Sequence, residues 1–126
     1  MKNYDDVDRE SSEADALLAA FRKLAEYDQL IDDETGPEYQ AQPLAQDWAR
    51  AGKVIEELGE VITNLIGYTA QNHRKGRYSS QREMLEEMAD VLITSLLGIQ
   101  HFTKNRADTA ALVMARWEYR LRKANL

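Results

Sequence analysis

A chain of 126 residues has the length of one domain, and its 44% hydrophobic and 30% charged residues are too apolar for a disordered polymer and too polar for a membrane protein. Sixteen Lys and Arg against twenty-two Asp and Glu leave a formal net charge of −6, the wrong sign for gripping a nucleic acid backbone or lying on anionic lipid. No cysteine is present, which removes disulfides and thiolate chemistry and points to a soluble, cytoplasmic protein.

The first ten residues, MKNYDDVDRE, hold few apolar groups and neither the basic start nor the apolar run of a secretory signal. They are expected to be a disordered N-terminus, with a single all-α domain over 11–126. Ser12, with Asp15 three residues on, reads as an N-cap, and Leu17, Leu18, Phe21, Leu24 and Ala25 recur at helical spacing to about Leu30. IDDETGPEYQAQP, with Gly36-Pro37, predicts a loop. A second helix is expected from about Leu44 to Gln71 on the spacing of Trp48, Ala51, Ile55, Leu58, Ile62 and Leu65. NHRKGRYSS interrupts it, and Leu85, Met88, Leu92, Leu96 and Ile99 predict a third helix from about Gln81 to Thr103. Asn105 with Asp108 caps a fourth, which carries Ala110, Met114, Trp117 and Leu121 on one stripe. No stretch is long and apolar enough to span a bilayer, and no strand signal or internal repeat is present.

On a wheel of about 100° per residue, the second helix gathers Tyr68, Val61, Val54, Leu65, Leu58, Ile62, Ile55 and Trp48 on one arc. Glu57 falls at the edge of that arc and Glu60 on its flank, one turn apart. Apolar residues cover most of the third helix, which is therefore expected to be largely buried. The remaining strip holds Glu83, Glu87, Asp90, Thr94 and His101. A carboxylate on such a strip is costly to desolvate, and several converging acids repel one another unless a cation joins them. All-oxygen ligation favours a hard ion, Mg²⁺ with Mn²⁺ as a substitute. Acids three residues apart are common on solvated helix faces, and one such pair alone says little; two pairs on consecutive antiparallel helices can meet at one ion.

KVIEELGE followed by EEMAD resembles the MazG-type, all-α nucleoside triphosphate pyrophosphohydrolases, whose pattern is EExxE and then ExxD. The resemblance covers roughly Trp48 to Thr103, and no expected acid is missing. It implies a four-helix MazG-like bundle in which Glu57, Glu60, Glu87 and Asp90 bind Mg²⁺, while Glu56 orients or deprotonates the attacking water. Lys53 matches a lysine common before the acidic motif, to contact phosphate or pair with a neighbouring acid. The implied reaction cleaves an NTP or dNTP to the monophosphate and pyrophosphate, a house-cleaning step on the nucleotide pool.

His73, Arg74, Lys75 and Arg77 form the dense basic cluster, and it reads equally as phosphate binding or as cations at a helix C-terminus. Lys75 and Arg77 stand as substrate-binding candidates, as does Asn64, one turn past Glu60, against the default of an exposed polar position. His101 reads as a hydrogen-bonded histidine rather than a ligand, and Trp48 and Trp117 as core or subunit packing; Tyr68 borders the carboxylate face. A third helix so apolar in a small bundle predicts burial against another copy, as a homodimer or homotetramer, and the family resemblance points the same way. A di-iron carboxylate bundle is disfavoured because neither His73 nor His101 has Glu three residues before it. The competing function is a non-catalytic helical module for oligomerisation or interaction.

Overall fold

The structure, a computed structural model, describes residues 9–126. It is all-helical, in the order α1 (Arg9–Glu34), α2 (Pro37–Gln40), α3 (Pro43–Thr69), α4 (Gln81–Thr103) and α5 (Arg106–Lys123). Residues 1–8 of the expected disordered N-terminus lie outside the described residues, whereas Arg9 and Glu10 are already helical. Ser12, expected to cap the first helix, therefore sits inside α1. Neither Gly nor Pro separates it from Arg9, and Ser within a helix costs only a few tenths of a kcal/mol, roughly, against a better helix former. α1 also outlasts its expected end at Leu30 and stops where Pro37 restricts the residue before it. There the Thr35 hydroxyl donates to the Asp32 carbonyl at 2.6 Å. The expected loop is partly a helical turn, α2, which opens on Pro37 because the first position of a helix has no N–H to lose.

Local chemistry explains the starts of the later helices. Ser80 and Glu83 form a reciprocal capping box on α4, the serine hydroxyl accepting from the Glu83 N–H and the Glu83 carboxylate accepting from the Ser80 N–H. Asn105 caps α5 by accepting from the Asp108 N–H at 3.1 Å. Between α3 and α4 the chain closes onto the end of α3. Tyr78 donates its N–H to the Gly67 carbonyl at 3.0 Å and its hydroxyl to Thr63 at 3.1 Å. Gly67 is required there, since a Cβ at that position would stand 2.5 Å from the Tyr78 ring and 2.6 Å from the Ser79 hydroxyl.

α3 and α4 form an antiparallel pair, shown by Asp47 meeting His101, the Glu57 region meeting Asp90, and Asn64 meeting Ser79. The seam between them is unusually polar. α3 buries Arg50, Glu57, Val61 and Gly67, while α4 buries Leu97, Gln100 and His101. Among the described residues the buried apolar side chains are Leu24, Val61 and Leu97. The expectation that the third predicted helix is largely buried therefore does not hold within one chain: Leu85, Met88, Leu92 and Phe102 point away from the seam and are exposed, Leu92 by 61%. Three members of its acidic strip lie against α3, Glu87 and Asp90 beside Glu57 and His101 on Asp47. Trp48 (73% exposed) and Trp117 (59%) likewise lie outside the core, so only the subunit-packing half of their expectation remains. No helix is long and apolar enough to cross a membrane among the described residues.

Candidate metal centre

Glu57 occupies the middle of the buried stripe of α3 rather than the edge of an apolar arc, and is 8% exposed. A wheel that takes every apolar residue as inward puts it at an edge, whereas Trp48, Ile55, Leu58 and Ile62 face out. Across the seam, α4 brings Glu87 and Asp90, one turn apart, onto the same spot. Oxygens of Glu57, Glu87 and Asp90 all lie within 4.8 Å of one another. Glu60 approaches from the solvent side. Its carboxyl is raised from its ordinary value, first by hydrogen bonding to the Glu87 side chain and then by the negative charges of Glu57 and Glu87.

One atom tests whether this group suits a cation. Glu87 Oε2 is buried and has no hydrogen-bond partner. A buried carboxylate oxygen without a donor costs on the order of 1–3 kcal/mol or more, since it forfeits its water and gains nothing in return. The neighbouring atoms are acceptors, so a donor cannot come from the cluster unless a proton does, and a hard divalent ion fits the all-oxygen set.

Lys53, on the previous turn of α3, lies with its Nζ 3.1 Å from Glu56 Oε1 and 3.1 Å from Glu57 Oε1. Hydrogen bonds to Glu56, and then to Glu57, hold its ammonium above its ordinary value, so it stays charged. Glu56 itself is exposed, on the outer flank of the acids. Beside them opens a cleft of about 520 Å³, into which Tyr27, Tyr39, Gln46, Lys53, Glu57 and Asp90 project from α1, α2, α3 and α4. Its volume is that of a small-molecule site.

Comparison with protein-family models, curated proteins and solved structures finds no match.

The remaining candidates lie elsewhere. Asn64 is engaged at both ends of its amide, donating to the Glu60 carbonyl at 3.0 Å and accepting from the Ser79 hydroxyl at 3.0 Å, so it joins α3 to the turn before α4. Arg77 donates to the Tyr68 carbonyl at 2.9 Å and stacks over the Tyr68 ring at 5.3 Å, closing the C-terminal end of α3. Lys75 lies over Tyr78 at 5.6 Å. Tyr68 is eight residues past Glu60, about 12 Å along a helix, so this basic turn and the acids are not brought together within the chain.

A second polar cluster escaped the sequence reading. Arg50 Nη2 lies 2.8 Å from Asp28 Oδ1 and 3.0 Å from Asp32 Oδ1, pinning α1 to α3. His101 Nε2 meets Asp47 Oδ1 at 2.7 Å, the hydrogen-bonded histidine that its position suggested. Asp28, Asp32 and His101 are close enough to share an ion, but the guanidinium already supplies the positive charge there. The missed signal was long-range: Asp28 and Asp32 lie one turn apart on a face of α1 that otherwise carries Leu24 and Ile31, and nothing local says which cation meets them.

Proposed function

We propose that this chain is a Mg²⁺-dependent nucleoside triphosphate pyrophosphohydrolase of the MazG type, a four-helix bundle acting as a cytoplasmic homo-oligomer. The observation that carries the reading is the convergence of Glu57, Glu87 and Asp90 around a buried Glu87 oxygen that has no partner. Glu57, Glu60, Glu87 and Asp90 would hold Mg²⁺, with Mn²⁺ as a substitute. Bound there, the ion supplies neutralisation of triphosphate oxygens and makes water more acidic.

The chain's own groups do the rest. Glu56, exposed beside the acids, accepts the proton of the attacking water. Lys53, at the junction of the acids and the cleft, contacts phosphate. The cleft receives the nucleoside, with Tyr27 and Tyr39 offering ring faces and Gln46 both a donor and an acceptor. Water attacks, one phosphoanhydride bond breaks, and a nucleoside monophosphate and pyrophosphate leave. The antiparallel α3–α4 pair supports the alignment, because acids on two packed helices cannot drift independently.

Oligomerisation follows from the outward apolar faces of α3 and α4, which cover far more than scattered surface leucines require. Those faces also suit a purely assembling helical module, and the carboxylate centre separates the two readings. In calorimetry a module binds neither Mg²⁺ nor nucleotide, whereas the hydrolase binds both. The direct test is a panel of canonical and altered nucleotides, ribo and deoxy, assayed with Mg²⁺. At least one should yield monophosphate and pyrophosphate, with the reaction stopped by a chelator. Release of orthophosphate alone, or of nothing from the whole panel, would reject the proposal.

A further inference from the structure

Lys53 is shared between two roles that cannot be filled at once. In the folded chain its ammonium lies 3.1 Å from both Glu56 and Glu57, and the Glu57 side chain is only 11% exposed. Among the described residues, neither Glu87 nor Asp90 has an ion pair, so the converging acids draw on this single ammonium, delivered at Glu57. The same lysine lines the cleft that runs past Asp90. Its four-carbon stem is flexible, and its side chain is about half exposed, at 49%.

Building on the metal-site reading above, we propose that Lys53 is an internal counter-ion that competes with the divalent cation for Glu57 and is drawn off by substrate phosphate, so that ion and triphosphate assist each other's binding. Two positive groups cannot both lie against one carboxylate without repelling each other. Lys53 on Glu57 therefore weakens uptake of the ion alone. An anionic phosphate entering the cleft offers the ammonium a new partner and frees Glu57 for the metal. This linkage is reciprocal: whatever factor phosphate adds to metal affinity, the metal adds to phosphate affinity.

The test is calorimetric titration of the full chain with Mn²⁺, comparing wild type, Lys53→Met and Lys53→Arg, with circular dichroism to confirm helical content. Removing one unit charge from the neighbourhood of a doubly charged ion should tighten Mn²⁺ binding about tenfold in Lys53→Met. Lys53→Arg, which keeps the charge, should stay close to wild type. Adding imidotriphosphate, a non-hydrolysable probe, should strengthen Mn²⁺ binding to wild type beyond its own affinity for Mn²⁺, and this gain should be lost in Lys53→Met. Equal or weaker Mn²⁺ binding by a folded Lys53→Met would overturn the counter-ion proposal and leave the metal centre standing. If neither wild type nor variant takes up Mn²⁺, the metal centre itself is rejected, and the counter-ion role with it.

Discussion

Glu87 concentrates the local cost of this fold, because one of its oxygens is sealed from water with no donor while like charges stand within 4.8 Å. Glu87→Gln removes a charge from the crowd and supplies a donor. Scanning calorimetry without added metal should therefore show a midpoint raised by about 2–5 °C, and Mg²⁺ should no longer raise it further. Glu60 gives a pH dependence of definite sign. Its carboxyl is raised by Glu87 and then by the charge of Glu57, so it binds its proton more tightly folded than unfolded. That contribution is fully present below the ordinary carboxylate range and is lost as pH rises through the raised folded value. A divalent ion needs the charged form, so the Mg²⁺-induced rise in midpoint should be larger at about pH 7.5 than at about pH 5. Equal rises at both would contradict the assignment of Glu60. The spacing of the acids predicts that Glu57, Glu87 and Asp90 meet across the two helices, and their oxygens do lie within 4.8 Å of one another. That Glu87 strands an oxygen is not legible in the sequence, because the loss of its water depends on packing by both helices.

Helices add a second set of constraints. Arg50 holds Asp28 and Asp32 across the α1–α3 junction, and all but its edge is buried. Arg50→Met should cost about 3–5 kcal/mol in urea unfolding, since it leaves the buried Asp28 without its cation. Because the same junction forms a wall of the cleft, nucleotide affinity should fall with it. Gly67→Ala forces a methyl group against Tyr78 and Ser79, and should cost about 1–3 kcal/mol by the same measurement. Helix positions were readable where the signal is local. The third predicted helix and α4 share Gln81 and Thr103 as ends, and Asn105 caps α5 as its side chain chemistry suggests. Ser12 predicts a start that α1 runs past from Arg9, because a capping residue is informative only where something stops the helix from continuing through it. The Arg50 pairing is invisible for the opposite reason: eighteen residues or more separate it from Asp28 and Asp32, and no period links them.

At the scale of the molecule, the arrangement is inverted from that of a self-sufficient bundle. Polar and acidic residues line the α3–α4 seam, while Leu85, Met88, Leu92 and Phe102 on α4 and Trp48, Ile55 and Ile62 on α3 face outward. Each such side chain gains about 1.5–3 kcal/mol on full burial, so a second copy covering several of them would stabilise the fold. Light scattering behind size-exclusion chromatography should give a dimer or tetramer at micromolar concentration, and the thermal midpoint should rise with protein concentration. The sequence pattern recorded how much apolar surface these helices carry but not which side it takes, since periodicity cannot separate a face turned to the same chain from one turned to a copy.

If a divalent cation joins the carboxylates of α3 and α4, their mutual repulsion is relieved only when the ion is bound. The decisive measurement is calorimetric titration of the chelator-treated chain with Mg²⁺, with Glu57→Gln and Asp90→Asn alongside the wild type. The wild type should bind the ion saturably, and both variants should lose binding with helical content unchanged. Binding retained in both variants, or a wild type that takes up no ion at all, would contradict a cation shared between α3 and α4.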